Sequence, residues 1–341
     1  MAHMVPLSVL DLVPVTEGST PREALQRSLR LAQQTERLGY LRFWVAEHHN
    51  MPGIASAATS VVIGYLAAGT NSIRVGSGGI MLPNHSPLVI AEQFGTLESL
   101  YPGRIDLALG RAPGTDQTTV RAMRRDPRSS DHFAQDVQEL QALLGPVQPG
   151  QVIQAVPGAG TNVPLWILGS SLYGAQLAAA LGLPYGFASH FAPDALHEAL
   201  RVYRQRFQPS AQAARPHAVV AVNVIAADTD AEARRLFTSV QQSYTLMFRG
   251  QRGLQRPPID DIESFWSPAE KQFATGMLKV SVVGSAATVR AGIERLLQDT
   301  AADELMVVSS IFDFEARLRS YVILAEVART MHGGAAAARV A

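Results

Sequence analysis

The amino-acid sequence predicts a (β/α)8 TIM barrel formed by one domain over residues 1–332. Short apolar segments alternate with helical segments along the chain, the pattern that gives a parallel sheet with helices outside. Eight such units in 341 residues fit a closed barrel, which commonly has this length as one domain. The alternative, an open doubly wound sheet, needs a glycine-rich first turn, and residues 10–14 read Leu-Asp-Leu-Val-Pro.

The individual elements follow from hydrophobic pattern and capping residues. Strands are predicted at the short apolar runs 6–10, 42–46, 73–78, 105–109, 165–168, 185–188, 218–226 and 304–309. Helices are predicted at 21–38, 55–68, 87–100, 131–144, 172–181, 193–207, from 230 onwards, at 282–300 and in a last segment ending at 331. The first helix has the clearest start, because Thr20, Pro21 and Glu23 form a capping box with proline at the first helical position.

Two segments depart from this alternation. Residues 245–280 follow strand seven and contain Arg252-Gly253, Pro257-Pro258 and Asp260-Asp261, so we predict a mobile insertion there and a candidate lid. Residues 333–341 are rich in alanine and are predicted to form a frayed tail.

Composition excludes several classes of function. Lys plus Arg and Asp plus Glu both number 29, so the basic surplus of a nucleic-acid-binding protein is missing. The absence of cysteine excludes disulfides, thiolate nucleophiles and cysteine-ligated metals. Charged residues make up only 17% of the chain against 47% hydrophobic residues, which predicts surface buried in a homodimer.

The N-terminus and the apolar runs predict where the protein works. Residues 1–4 lead into a strand without the basic and apolar regions of a signal peptide. No apolar run reaches the length of about 20 residues that a membrane-spanning helix needs. We therefore expect a soluble, cytoplasmic protein.

Polar residues concentrate in the segments that follow the predicted strands. In a TIM barrel these segments meet at the carboxyl end of the strands, where active sites lie. They include Glu47-His48-His49-Asn50, the run 82–87, Arg111, Gly169-Ser170-Ser171 and His190. This convergence predicts a functional site at that end of the barrel.

The Gly169-Ser170-Ser171 turn is a candidate phosphate site. Backbone N–H groups and the positive end of the following helix favour an anion there, and Arg111 supplies a fixed charge. Taken alone, the segment is explained more simply by a helix-capping serine. A serine nucleophile is rejected, because the elbow pattern Gly-x-Ser-x-Gly lacks its second glycine here.

His48 and His49 offer a side chain that titrates near neutral pH and could handle a proton. Because they are adjacent on extended chain, only one is expected to enter a pocket. An ordinary hydrogen-bonded histidine at a strand end explains the residues equally well. No His-Glu-x-x-His motif is present, so no metal site is predicted.

The family becomes recognisable in two motifs of the first half. The run Val75-Gly-Ser-Gly-Gly-Ile-Met-Leu-Pro83, followed by His85, Pro87 and Ala91-Glu92, resembles the third unit of bacterial luciferase-like flavin monooxygenases. The run Tyr101-Pro-Gly-Arg-Ile105 with Gly110-Arg111 does so as well, and Glu47-His48-His49 lies at a matching distance upstream. The resemblance covers essentially the whole chain and is greatest to the non-luminous oxidoreductase branch.

This resemblance implies particular roles for residues that the sequence alone leaves open. It implies that Arg111 and the turn Gly169, Ser170 and Ser171 bind the FMN phosphate. It implies a cis peptide between Gly78 and Gly79 beside the flavin ring, where the pattern alone did not separate ligand approach from a tight barrel corner. It implies that His48 is the catalytic histidine. Gly110 replaces a cysteine of the luminous enzymes, which makes light emission doubtful.

The implied activity is that of a flavoprotein monooxygenase acting on paired donors with O2. Reduced FMN would serve as co-substrate, supplied by a separate reductase, and one oxygen atom would enter a small organic substrate. Two alternatives stay open: a reductase that uses the deazaflavin F420, and a non-catalytic flavin-binding protein. The sequence does not specify the substrate.

Overall fold

The computed structural model describes residues 5–337, which fold into a closed, eight-stranded parallel barrel surrounded by helices. The barrel strands are β1 Leu7–Asp11, β2 Arg42–Val45, β3 Arg74–Met81, β4 Ile105–Gly110, β5 Leu165–Gly169, β6 Tyr185–Phe187, β7 Ala218–Ala226 and β9 Glu304–Val308. Closure is completed where β1 pairs with β9, in the register Leu7 to Leu305, and where β6 pairs with β7. The predicted TIM barrel is confirmed.

Helices connect the strands on the outside and in the excursion after β7. They are α1 Pro21–Leu38, α2 Thr59–Ala68, α3 Pro87–Leu100, α4 Gln117–Ala122, α5 Phe133–Leu144, α6 Leu172–Leu181, α7 Leu196–Arg206, α8 Asp230–Phe248, α9 Pro268–Met277, α10 Ala286–Thr300 and α11 Phe314–Ala337. The capping box predicted at Thr20 is present, and Gly39 ends α1 with φ +87°. α2 begins at Thr59 instead of 55, and Ala55 belongs to the preceding loop, where its backbone N–H donates to Val13 O.

The excursion after β7 is longer than the predicted segment 245–280. Helix α8 packs on α9 and on a ninth strand, β8 Ser281–Gly284, while α10 is the barrel helix that leads to β9. Strand β8 pairs with the carboxyl-terminal half of β7, in the register Ala226 to Gly284. The prediction of helix from residue 282 was therefore wrong, since residues 281–284 extend the sheet before α10 begins.

Alternate residues of the strands divide the interior into two layers. One side of each strand packs against the helices, and the other side fills the barrel with Trp44, Trp166, Met306 and neighbouring side chains. The two indole rings meet edge to face, with centroids 5.2 Å apart. Because side chains fill the interior of the barrel, a functional site is expected in the loops at the carboxyl ends of the strands.

Charged side chains close the opposite, amino-terminal end of the barrel. Arg42 is bonded to Asp106 and to Glu304, both at 2.9 Å, and Arg74 lies 2.6 Å from Asp106. Asp106 and Glu304 are fully buried, so their charges depend on these partners. We attribute this network of buried charges to stabilisation of the fold and not to a functional site.

The chain ends are described only in part. α11 is described as far as Ala337, and the remainder of the predicted tail at 333–341 lies outside the described residues. Across residues 5–337, none of the helices is both long enough and apolar enough to cross a bilayer.

Candidate functional site

The segments at the carboxyl ends of β2 and β3 are joined through one buried carboxylate. The Glu47 side chain is 1% exposed and accepts hydrogen bonds from His49 Nε2 at 2.7 Å and from His85 Nε2 at 2.8 Å. It also accepts from the Met81 backbone N–H at 3.0 Å and from Asn84 Nδ2 at 3.3 Å. Glu47 is therefore the centre of a polar cluster, which we call the Glu47 cluster.

The donors around Glu47 hold it in its ionised form. Burial alone would raise the pKa of Glu47, but the hydrogen bonds from His49 and His85 outweigh burial and lower its pKa to about 2. The same contact raises the pKa of His49 above its ordinary value. The carboxylate charge is thus offset by imidazole donors inside the cluster.

His48 lies beside this cluster and is hydrogen-bonded to the loop after β4. Its Nδ1 lies 3.2 Å from the carbonyl oxygen of Gly114. Burial lowers the pKa of His48, although the Gly114 contact and the charge of Glu47 oppose the shift. Nε2 forms no hydrogen bond with any residue that the structure describes, so this nitrogen is available to a ligand.

His190, which follows β6, is a second histidine at this end of the barrel. Its Nδ1 is buried and has no hydrogen-bond partner within residues 5–337. Burial, with a smaller effect from His48, lowers the pKa of His190 to about 4, so the ring is neutral near pH 7. Its backbone carbonyl accepts from Asn223 Nδ2 at 2.6 Å, which fixes its loop against β7.

Arg111 and the start of α6 form the second part of the site. The Arg111 guanidinium lies over the ring of Tyr173, with Cζ 4.1 Å from the ring centroid. No carboxylate of the described residues forms an ion pair with Arg111. Ser171 precedes α6 in extended conformation, and its hydroxyl makes no capping hydrogen bond among these residues. The capping explanation of this serine is therefore not supported, and a cation lies beside an uncapped helix start.

The Gly78–Gly79 peptide bond is cis, as the resemblance implied. A Cβ atom at Gly78 would lie 2.6 Å from Leu10 Cδ1, and one at Gly79 would lie 2.5 Å from Ala108 O. Packing against the backbone of β4 thus requires glycine at Gly79, whereas the atom nearest to Gly78 belongs to the flexible end of a leucine side chain. Close packing at this corner and approach of a flat ligand therefore both stay open for the two glycines.

The Glu47 cluster has the composition of a metal site but the spacing of hydrogen bonds. A carboxylate oxygen and the two Nε2 atoms of His49 and His85 lie within 4.8 Å of one another. Ligands of tetrahedral zinc are about 3.3 Å apart when the metal–ligand bonds are about 2.0 Å. The carboxylate–imidazole contacts of 2.7–2.8 Å are shorter and are those of charged hydrogen bonds. That no metal binds stays a prediction.

Part of the excursion lies across the mouth of the barrel, and we call residues 250–259 the strap. Gln255 forms two backbone hydrogen bonds with residues 15–17, and its side chain donates to Ser310 O at 2.7 Å. Arg252 forms an ion pair with Asp116 at 3.2 Å, and Gly53 contacts the backbone of Gly253. The strap therefore contacts the loops after β1, β2, β4 and β9.

The structure groups most of the predicted site residues around two centres. His48 belongs with the Glu47 cluster, and Arg111 with Ser171 at the start of α6. Sequence reasoning missed the roles of Asn84 and Tyr173. Asn84 lies in the polar run after β3, which was a usable signal, whereas the cation–π contact of Tyr173 depends on a strand pairing that the sequence does not display.

The amino-acid sequence of this chain is similar to those of known proteins over nearly its whole length. A sequence model described as "Luciferase-like monooxygenase" matches residues 5–304. A luciferase-like monooxygenase of Escherichia coli (strain K12) is 54% identical over 330 residues, covering 96% of this chain and 98% of the relative. An N-acetyl-S-alkylcysteine monooxygenase of Bacillus subtilis (strain 168) is 31% identical over 337 residues, covering 95% and 98%.

Solved structures with the same fold also match nearly the whole chain. The crystal structure of apo-MsnO8 superposes with a TM-score of 0.89 at 40% identity, covering 95% of this chain and 98% of that one. Two more distant structures share the fold alone, both at 16% identity. One is a type II Baeyer–Villiger monooxygenase component in complex with FMN, and the other an F420-dependent secondary alcohol dehydrogenase with an F420–acetone adduct. The fold therefore occurs with either cofactor.

Proposed function

The chain belongs to the luciferase-like monooxygenase family, and from this premise we propose that it uses reduced FMN and O2 to oxygenate a small organic molecule. The observation that carries the choice of a phosphate-bearing flavin, with FMN as the proposed candidate, is the arrangement of Arg111 and Ser171 at the start of α6. A guanidinium without a carboxylate partner among the described residues, beside an uncapped helix N-terminus, is suited to a phosphate group.

The residues present fit the phosphate end of FMN. The backbone N–H groups that open α6 have no partner inside the helix, and the Ser170 and Ser171 hydroxyls can add donors. The ring of Tyr173 supports the Arg111 guanidinium from one face and leaves its edge for bidentate contact. Gly169 continues this turn from β5.

Reduced flavin, when bound, supplies the chemistry that activates O2, and the protein provides binding, proton control and exclusion of water. His48 is the proposed catalytic residue, since its Nε2 is unbonded within the described chain and its ring is neutral near pH 7. Gly78 and Gly79 are proposed to lie against the flavin ring. The strap shields the mouth from water, which favours oxygen transfer over side reactions.

The exposed faces of α2 and α3 support a homodimer. Helix α2 contains no charged residue, although Val61 is 70% exposed and Tyr65 41% exposed. On α3, Val89 and Leu100 are exposed as well. A helix that is apolar on all sides is normally buried, so a second copy of this chain is the proposed occupant of this face.

Two alternatives are distinguished by ligand and by turnover. An F420-dependent reductase is supported by the F420-dependent structures that share the fold, and a flavin-binding protein without turnover would need only the phosphate site. A separate reductase partner and a cytoplasmic location stay predictions from the sequence.

Anaerobic titration of the flavin-free protein with oxidised FMN, reduced FMN and F420 tests the proposal. Changes in flavin absorbance and fluorescence should show micromolar or tighter binding of reduced FMN and weaker binding of F420. Binding of F420 alone would replace the proposal by the reductase alternative. FMN binding without O2 consumption across a panel of small thioethers and ketones would leave the flavin-binding protein.

A further inference from the structure

The contact between His48 and Gly114 fixes which ring nitrogen of His48 carries hydrogen. A carbonyl oxygen can only accept a hydrogen bond, so Nδ1 of His48 must donate to Gly114 O at 3.2 Å. Since burial lowers the pKa of this ring, the neutral form dominates near pH 7 and its lone pair lies on Nε2. His48 is thus held in its Nδ1–H tautomer.

The position of the Gly114 carbonyl depends in turn on Asn84. The Asn84 Nδ2 group donates one hydrogen to the carbonyl oxygen of Pro113 at 2.8 Å and the other to Glu47 Oε1 at 3.3 Å. Pro113 and Gly114 share a peptide unit, so this amide fixes the chain immediately before the acceptor of His48. Gly114 has φ +63°, and a Cβ atom there would lie 2.9 Å from the Glu47 carbonyl oxygen.

Glu47 completes the connection, because its carboxylate orients the amide of Asn84. Its other donors are the two imidazoles of His49 and His85 and the Met81 N–H, which hold the carboxylate in one orientation. Glu47 and Asn84 therefore act between the loop that carries His48 and the loop that carries its acceptor. Neither residue is needed for the phosphate contacts at α6.

We infer that Glu47 and Asn84 are positioning residues that hold His48 in its Nδ1–H tautomer and leave the Nε2 lone pair for the reaction. The tautomer is a property of the protein without cofactor. Only its value for catalysis rests on the proposed function. A buried carboxylate–amide pair that orients a catalytic imidazole through a backbone carbonyl acts as do the carboxylates and carbonyls that accept a hydrogen bond from a metal-bound histidine and fix its ring.

Histidine-selective 15N labelling tests the inference directly in the flavin-free protein. Two-bond 1H–15N correlation spectra distinguish the Nδ1–H tautomer, the Nε2–H tautomer and the charged ring, and His48→Gln assigns the His48 signals. Wild-type His48 should show the Nδ1–H pattern. In Asn84→Ala and in Glu47→Gln, the Gly114 carbonyl should move away from His48 Nδ1, and loss of that one neutral hydrogen bond should raise the ratio of Nε2–H to Nδ1–H about fivefold.

The variants are compared with Asn71→Ala, which removes an exposed amide in the loop before β3 at the opposite end of the barrel. That control should leave the His48 signals unchanged. FMN affinity should be the same in all variants, while kcat for oxygenation falls in the two cluster variants with little change in KM for reduced FMN.

An Nε2–H pattern in the wild type, or an unchanged His48 signal in both cluster variants, would overturn the inference. Should Glu47→Gln fail to fold, Asn84→Ala decides alone, because it leaves the carboxylate and its imidazole donors in place. If the wild type binds no flavin, the proposed function fails, but the tautomer spectra still decide the structural inference.

Discussion

The guanidinium of Arg111 lies over the ring of Tyr173, with 4.1 Å from Cζ to the ring centroid. Arg111 follows β4 and Tyr173 lies in the first turn of α6, so the contact joins two neighbouring units of the barrel at its functional end. Because the positive charge has no carboxylate partner among the described residues, an incoming anion does not have to displace one.

Removal of this charge should weaken FMN binding. Arg111→Ala deletes a charge-assisted contact to phosphate, which is worth about 1.5–3 kcal/mol, so Kd should rise about 10- to 150-fold. Fluorescence titration measures the change. Arg201→Ala, which removes an exposed arginine paired with Glu198 on α7, is the control and should bind normally. Equal affinities of the Arg111 variant and the wild type would exclude this phosphate site.

Replacement of His48 should separate binding from catalysis. His48→Ala leaves the phosphate contacts intact, so FMN affinity should hold, while coupled oxygenation falls about 100- to 10,000-fold, the usual contribution of a proton-transferring side chain. The assay compares product formed with O2 consumed under a supply of reduced FMN. The control is His197→Ala, which replaces an exposed histidine on α7 and should leave coupling unchanged. Unchanged coupling in His48→Ala would remove His48 from the mechanism.

The Glu47 cluster predicts how stability depends on pH. The pKa of Glu47 is depressed from an ordinary 4.5 to about 2, so its stabilisation is present above pH 4.5 and is lost as pH falls towards 2. Glu47→Gln should therefore lower the free energy of unfolding by about 2–3 kcal/mol at pH 7.

That difference should shrink between pH 4.5 and pH 2, as urea unfolding at a series of pH values will show. Glu198→Gln, at an exposed ion pair, is the control and should have little effect at any pH. A destabilisation by Glu47→Gln that is constant from pH 7 to pH 3 would mean that shape, rather than charge, matters at this position.

The apolar face of α2 and α3 predicts the state of association. Val61→Lys combined with Val89→Lys places two charges on the proposed interface and should convert a dimer into monomers. Light scattering coupled to gel filtration measures the mass. Met247→Lys changes a comparably exposed apolar side chain on α8 and should leave the dimer intact. A wild-type protein that is monomeric at all accessible concentrations would contradict the proposal.

The buried charges at the amino-terminal end of the barrel predict a large loss of stability. Arg42→Leu leaves Asp106 and Glu304 buried without one of their partners, which typically costs about 3–5 kcal/mol. Arg30→Leu breaks an exposed ion pair with Glu315 and should cost less than about 1 kcal/mol. Thermal unfolding of both variants makes the comparison, and similar midpoints would show that the buried network is replaceable.

Local signals explain which elements the sequence predicts well. α1 and α3 begin at prolines and match their predicted ranges, because a proline in the first turn states the helix start within the chain itself. α9 carries an equally clear signal, the capping box Ser267-Pro268-Ala-Glu270, which was overlooked inside the excursion. β8 had no such signal, since its four residues form a strand only because β7 is long enough to pair with them.

The residues of the candidate site also differ in how well the sequence predicts them. Motifs placed His48, Arg111 and Ser171 at the carboxyl end of the barrel, because strand ends can be located from local pattern. The contacts of Glu47 with Met81, Asn84 and His85 join residues 34 to 38 positions apart, and their geometry depends on the register between β2 and β3. Such contacts are properties of the assembled sheet, and local pattern contains no record of them.

The pairing of Ala226 with Gly284 has a consequence for how this barrel can change over evolution. The chain leaves β7 and returns to a neighbouring position on the same strand, so everything between forms a cassette with adjacent, rigid attachment points. Lengthening a loop with fixed ends costs little, about 0.6 kcal/mol for each doubling. Exchange of this cassette between relatives can therefore change the strap at the mouth of the barrel and leave the eight-stranded ring and the proposed phosphate site unchanged.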